Sequence, residues 1–497
     1  MRFGHVEPYR LPDDLIGAAF VPDRWDPARV PRLFRPAIVN GVRVGFDQTT
    51  GQVVPSTLIG FLVPGSGDPN NGMVTDKGPL PPGGLTFMPS PPPAVTASPR
   101  FGFAYDLGGA GRTAIRGSFS VLQDLLPASS DLGRNVPGFA PYSRVSTFLY
   151  GRIPDLAGTA AFDSPINPVA FDDYDAQTAY TYSLEVQQNL GGATTLSVAY
   201  VGNRYIDLRN NLNINPIAPG ARFDPANADP TNPATPLPDN FLRPMIGYGA
   251  INLRTNGGYS RYNSLQVTAN RRVRNGLQFG SAYTLAVAKS TAGIPNFHDL
   301  AYTYDYAAGD RRHVLSVNGV YEIPSWTSAP RVARAVLDHW QVAVIAVFTT
   351  GAPETVTFTT TDNFDFTGGG DAGRISITPG CDPILPRGER THQRWFNISC
   401  FIRPAGRGDE GNSSRIHYFG PGSNTWDLTL TKGIKLGGSR EMQLRAEFYN
   451  LFNHPTWQSV NNVARFDPAG NQINDAFGTV MPDGSPRIVQ LALRFLF

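Results

Sequence analysis

The chain has 497 residues, of which 41% are hydrophobic and only 16% charged, where soluble domains average about 25% charged. A net charge of +2 excludes an overall field strong enough to draw nucleic acid or anionic lipid. No apolar run approaches the ~20 residues of a membrane helix, so a helical membrane protein is excluded as well.

In chain order, the opening MRFGHVEPYRLPDD carries Glu7 and two prolines and lacks the apolar core of a secretory signal. Residues 1–100 are rich in Pro and Gly, notably over 64–84 and 89–93, and are expected to be irregular. From Phe101 the pattern changes to segments of about ten residues with period-two alternation, the length and period of a tilted membrane strand. Eleven such segments are predicted. Phe101, Phe103 and Tyr105 lead to Thr113, Ile115, Phe119 and Val121 across a Gly-rich turn. Tyr182, Leu184 and Val186 lead to Leu196, Val198 and Tyr200 across Gly191-Gly192. Leu265, Val267 and Ala269 meet Leu277, Phe279, Tyr283, Leu285 and Val287 across Asn275-Gly276, a strong hairpin signal. Leu315, Val317 and Tyr321 precede Trp340, Val342, Val344 and Phe348 over a longer link, 324–337. Trp426, Leu428, Leu430 and Ile434 return through Met442, Leu444, Ala446 and Phe448. In the last segment Val489, Leu491, Leu493, Phe495 and Phe497 share one face, and Gln490, Ala492 and Arg494 the other.

Polar stretches near 123–179, 203–259, 290–310, 351–423 and 451–485 separate the hairpins. Short turns alternating with long loops are the mark of an outer-membrane barrel, whose turns are periplasmic and whose loops are extracellular. The predicted fold is therefore all-β, a transmembrane antiparallel barrel in the bacterial outer membrane. A strand ending on an aromatic residue makes Phe495 and Phe497 a C-terminal signal for the barrel-assembly machinery. Eleven is odd, whereas single-chain bacterial barrels have an even number. Residues 1–100 are thus expected to be an extracellular loop of a truncated barrel, and 101–497 its C-terminal half.

The segments PRFGFAYD, RTAIRGSF, LSVAYVGNR, DRRHVLSVNGVYEIP, RWFNISCF and RAEFYNLFNHPTW, in that order, resemble the β-barrel region of the Oar-like TonB-dependent receptors. That resemblance implies a parent with signal peptide, regulatory-like domain, plug and a barrel of about 22 strands, taking up a substrate with TonB-coupled energy. Here nothing before Phe101 looks like a plug or a TonB box. The expected function is that of a fragment of such a receptor, not transport-competent alone, with outer-membrane lipid as its surroundings. The alternative is a structural or adhesive surface protein without transport. The substrate is not specified by the sequence.

Chemistry-bearing motifs are few. The seven histidines are scattered, no HExxH or GxSxG occurs, and no enzyme activity, cofactor or metal is expected. GGAGRT at 108–113 joins two strands and reads as a turn. Asp362, Asn363, Asp365 and Asp371 offer oxygen ligands, but without EF-hand spacing, and a solvated loop is the favoured reading. The same holds for Asp172, Asp173 and Asp175. Arg407-Gly408-Asp409 carries no weight. Glu185, Arg445, Glu447 and Arg494 are expected on the lumenal face as register-fixing charges, and His313 on a charged rim. Cys381 and Cys400 are either a loop-closing disulfide or two free thiols.

Overall fold

A computed structural model describes residues 2–4, 18–75, 95–124, 146–147, 162–172, 175–291, 303–326, 328, 330–362, 367, 373–406, 408–438, 440–483 and 486–497. Its centre is one antiparallel meander of eleven strands. These are β1 (Arg100–Asp106), β2 (Thr113–Asp124), β3 (Gln177–Gly191), β4 (Thr194–Asn213), β5 (Asn252–Arg274), β6 (Leu277–Thr291), β7 (His313–Glu322), β8 (Trp340–Thr349), β9 (Ser423–Gly437), β10 (Arg440–Tyr449) and β11 (Ile488–Leu496). Each pairs with its chain neighbours from β1 to β11. Among the described residues no pairing joins β1 to β11, so the wall ends in two open edges.

Alternation sorts the side chains, because directly paired residues share a face. The register row Phe103, Gly117, Leu184, Tyr200, Leu265, Leu285 is continuous across six strands. Val344, Leu428, Phe448 and Val489 continue the same face over the last four strands. This apolar face points outward. The other face carries Ala114, Gln187, Ser197, Thr268 and Ala282, which also align in one row.

Two glycines make room for rings on the outward face. A Cβ on Gly117 would lie 2.3 Å from the Phe103 ring, and one on Gly202 would lie 2.3 Å from the Tyr182 ring. Tyr182 is also stacked on Tyr200, with centroids 6.0 Å apart. Both tyrosine hydroxyls donate to Asn263 Oδ1, at 3.2 and 2.7 Å. Such apolar bodies with polar tips suit a girdle at the membrane surface.

The short connections bend as their residues require. Asn275 and Gly276 both have positive φ, 53° and 74°, as a two-residue hairpin turn demands. The longer link between β7 and β8 contains the helix α1 (Arg331–Leu337).

Two expectations need correction. Strands of about ten residues were expected, yet β4 has 20 residues and β5 has 23. A crossing uses roughly 9–11 residues, so these strands continue well past the membrane on the long-loop side. Both ends of the stretch near 203–259 are therefore strand. Pairing persists there across register shifts between Tyr205 and Leu208 and again before Asn210.

The second correction concerns residues 1–100, which are not simply irregular. Arg35–Val39, Val42–Phe46 and Val53–Pro55 form a three-stranded antiparallel sheet, turned at Asn40-Gly41 with φ of 51° and 80°. Phe34, Val54, Leu58 and Val63 pack with Phe162. Ala18–Phe20 pairs with Met73–Thr75 and, through Ala170, with Val169–Phe171, which in turn pairs with the start of β5. The unit therefore sits on the long-loop side of the wall. Its partners lie far along the chain, which is why a local reading finds only Pro and Gly.

Candidate functional site

The inward face is lined by hydroxyls and amides held in cross-strand pairs. Ser118 and Ser183 hydroxyls lie 2.7 Å apart, and Ser120 and Thr181 2.6 Å. Arg116 donates to Gln187 at 2.9 Å and lies 3.6 Å from the Glu185 carboxylate directly across the ladder. Arg445 pairs with Glu447 two residues along, at 2.6 Å. Arg494 lies opposite Gln443 and is exposed. Glu185, Arg445, Glu447 and Arg494 thus share the inward face but are not gathered into one site. Near the short-turn mouth a polar cavity of about 650 Å³ is bounded by Glu322, Gln341, Thr431, Lys435, Glu441 and Gln443.

On the long-loop side stand two folded caps. The N-terminal cap is the sheet just described, fixed by charge. Arg32 donates to both Asp47 oxygens at 3.0 Å, and Thr50 Oγ1 donates to the same carboxylate at 2.6 Å. The Arg32 guanidinium, helped by Thr50, holds the Asp47 carboxyl well below the usual carboxylate range. Arg43 reaches Asp229 at 2.5 Å, and Tyr248 donates to the Asn71 carbonyl at 2.7 Å, so the cap is tied to the loop between β4 and β5.

The C-terminal cap combines the β8–β9 and β10–β11 loops. Thr357–Thr360 runs parallel to Val463–Phe466, and Phe396, Cys400, Phe401, Tyr418, Ala464, Phe466 and Phe477 form its core. Cys381 and Cys400 are joined in a disulfide with a Cα separation of 5.5 Å. Of the two states left open by the sequence, the structure adopts the bonded one. His417 is buried, and its Nδ1 accepts from the Val356 amide at 2.7 Å. Burial pushes this imidazole down to about 4 and pushes the neighbouring Tyr418 hydroxyl up.

Asp362 pairs with Arg403 at 2.8 Å. Asn363, Asp365, Asp371, Asp173 and Arg407 lie outside the described residues. Among the described residues no three His, Cys, Asp or Glu side chains are grouped to hold a metal. His313 lies on the outward face opposite Leu285, with its Nδ1 2.8 Å from the Tyr283 hydroxyl. Phe495 pairs across from Met442 within β11, and Phe497 follows the strand fully exposed. Sequence reasoning missed the Arg32–Asp47 pair and His417. The Asn40-Gly41 hairpin signal could have flagged the first; nothing local marks the second.

An apolar outward face, a hydroxyl-lined inward face and loops gathered at one end define a β-barrel wall of the bacterial outer membrane. The chain belongs to the outer membrane beta barrel domain family, whose profile matches residues 34–490. No curated protein matches it. Among solved structures it is similar to the FrpB iron transporter of Neisseria meningitidis (F3-3 variant), with 12% identity and a TM-score of 0.37 over 81% of this chain and 39% of that one. It is also similar to the outer membrane transporter YddB of Escherichia coli, at 10% identity and TM-score 0.36, over 80% of this chain and 40% of that one. The ferripyoverdine receptor of Pseudomonas aeruginosa gives 11% identity and TM-score 0.36, over 80% and 32%. The chain thus spans less than half the length of these proteins.

Proposed function

We propose that this chain forms part of the wall of an Oar-like TonB-dependent receptor, a binding and uptake protein without enzymatic chemistry. The observation that carries the reading is a wet, hydrogen-bonded inward face on a wall of eleven strands in which, among the described residues, β1 (Arg100–Asp106) and β11 each pair with one neighbour only. In hydrocarbon each unsatisfied backbone group costs several kcal/mol, so further strands are expected to complete the barrel. Arg2–Gly4 pairs antiparallel with Thr96–Ser98, immediately before β1. That is the place and direction of a wall strand next to β1. In this reading the caps select the substrate, a TonB complex powers its passage through the complete receptor, and the barrel-assembly machinery recognises Phe495 and Phe497.

The test is to probe native outer membranes with an antibody against the C-terminal cap. A heat-modifiable polypeptide about twice as long as these 497 residues is the expected result. A species of only this length would sink the reading. The folded caps favour one second reading, a surface-binding protein without passage. Loss of growth on a nutrient when TonB is deleted, reproduced by deleting this gene, separates the two.

A further inference from the structure

Two cavities adjoin where the C-terminal cap meets the upper edge of β7 and β8. Their volumes are about 550 and 560 Å³, and both are bounded by His313, Thr349, Thr350 and Gly422. They open on the outward side of the wall. His313 is paired with Leu285, and Tyr306 with Lys289, both on the outward face of β6. The lower cavity runs down onto Leu315 and Phe348, which are paired with each other on that same face.

The upper cavity is cationic. Arg312, Arg387 and Arg390 line it, and no carboxylate lines either cavity among the described residues. Two of the arginines are held in place. Arg312 stacks over Tyr306, 5.4 Å from its centroid, and donates to the Tyr306 hydroxyl at 3.1 Å. Arg390 lies 5.8 Å over Trp395, and its Nε donates to the Leu385 carbonyl at 2.8 Å. Arg387 is exposed. Burial and the nearby Arg387 lower the Arg390 pKa, as expected of like charges brought together.

The height of the cleft is set by its neighbours. Tyr283 lies beside His313, and Phe348, Trp426 and Phe452 form consecutive edge-to-face pairs at 5.5 Å, an aromatic girdle at the membrane surface. Above the girdle lie the guanidinium groups, and Leu315 together with the girdle's own Phe348 supplies an apolar floor. Phosphate suits the first, since planar guanidinium forks bind its oxygens in pairs. Acyl chains suit the second.

We propose that this cleft seats an anionic lipid of the outer leaflet that carries a terminal phosphate (a phosphomonoester), with that phosphate against Arg312, Arg387 and Arg390 and an acyl chain along Leu315 and Phe348. The inference rests on membership of the outer-membrane family and stands whether or not the protein transports anything.

The experiment uses the full chain, isolated from outer membranes in a neutral detergent, with bound lipid counted by native mass spectrometry. Phosphatidic acid, phosphatidylcholine and inorganic phosphate are the three probes. Phosphatidic acid is expected to be retained in preference to phosphatidylcholine, and inorganic phosphate to compete only weakly. A basic side chain near an anionic surface is worth about 1 kcal/mol, so R387Q with R390Q should weaken phosphatidic acid about 30-fold. The exposed single variant R387Q, which threatens folding least, should weaken it about fivefold. Equal retention of the two lipids, or unchanged affinity in R387Q, overturns the proposal. Inorganic phosphate binding as tightly as phosphatidic acid also overturns it, because the site would then serve a soluble anion.

Discussion

The wall and the C-terminal cap use the same apolar residue types in opposite ways. In the wall, Leu184, Leu265, Leu444 and Leu493 point outward and keep 41–54% of their surface exposed, because their solvent is lipid. Its inward face is polar, with pairs such as Ser118–Ser183 and Arg116–Glu185. In the cap, Phe396, Cys400 and Ala464 are completely buried, and His417 is buried with them. The wall is held by its backbone ladder, with side chains sorted by period two. The cap is held by packing, so its stability resides in a few large residues.

The largest effect that would sharpen this contrast is expected from F396A. Phe396 contacts Phe401, Tyr418 and Phe477 rings at 4.5–5.4 Å, and such truncations cost about 3–5 kcal/mol. Hydrogen exchange should show the cap opening while β1–β6 stay protected; simultaneous loss of both would mean a single cooperative unit. Next is L428R, placed on the outward face between Trp426 and Leu430 in β9. An arginine near the midplane costs about 2–4 kcal/mol, read as reduced folding into lipid vesicles, with no change in cap proteolysis.

The cap alone should respond to acid. His417 titrates near 4 when folded and near 6.5 when unfolded, so the unfolded chain binds the extra proton first. Its contribution is fully present above about pH 6.5 and is lost as pH falls toward 4, at most ~3 kcal/mol over that window. Denaturant unfolding of the cap across this range checks it, and H417N should flatten the profile. The smallest effect is expected from G202A. The new Cβ would collide with a Tyr182 ring pinned by Asn263, costing about 1–3 kcal/mol. A lowered gel-shift temperature with unaltered cap digestion is the expected signature.

The same contrast explains what could be read without coordinates. All eleven wall strands were legible because each declares itself locally, as Leu265, Val267 and Ala269 do beside Asn275-Gly276. The caps were not, because their contacts join distant segments: Phe34 meets Phe162, and Tyr248 meets Phe20 and Asn71. No periodicity signals such pairs. The Cys381–Cys400 bond was left undecided for the same reason, since the packing that brings the sulfurs together is supplied by Phe396, Phe401 and Phe477. The clustering of Arg387 and Arg390 with Arg312 likewise depends on the cap folding back to the wall.

The parallel pairing of Thr357–Thr360 with Val463–Phe466 also sets an order of events. The first segment leaves the ribosome well before the second, with β9 and β10 between them. The cap core therefore cannot close until nearly all of the wall has been made: Phe358 must wait for Phe466, and Phe396 for Phe477.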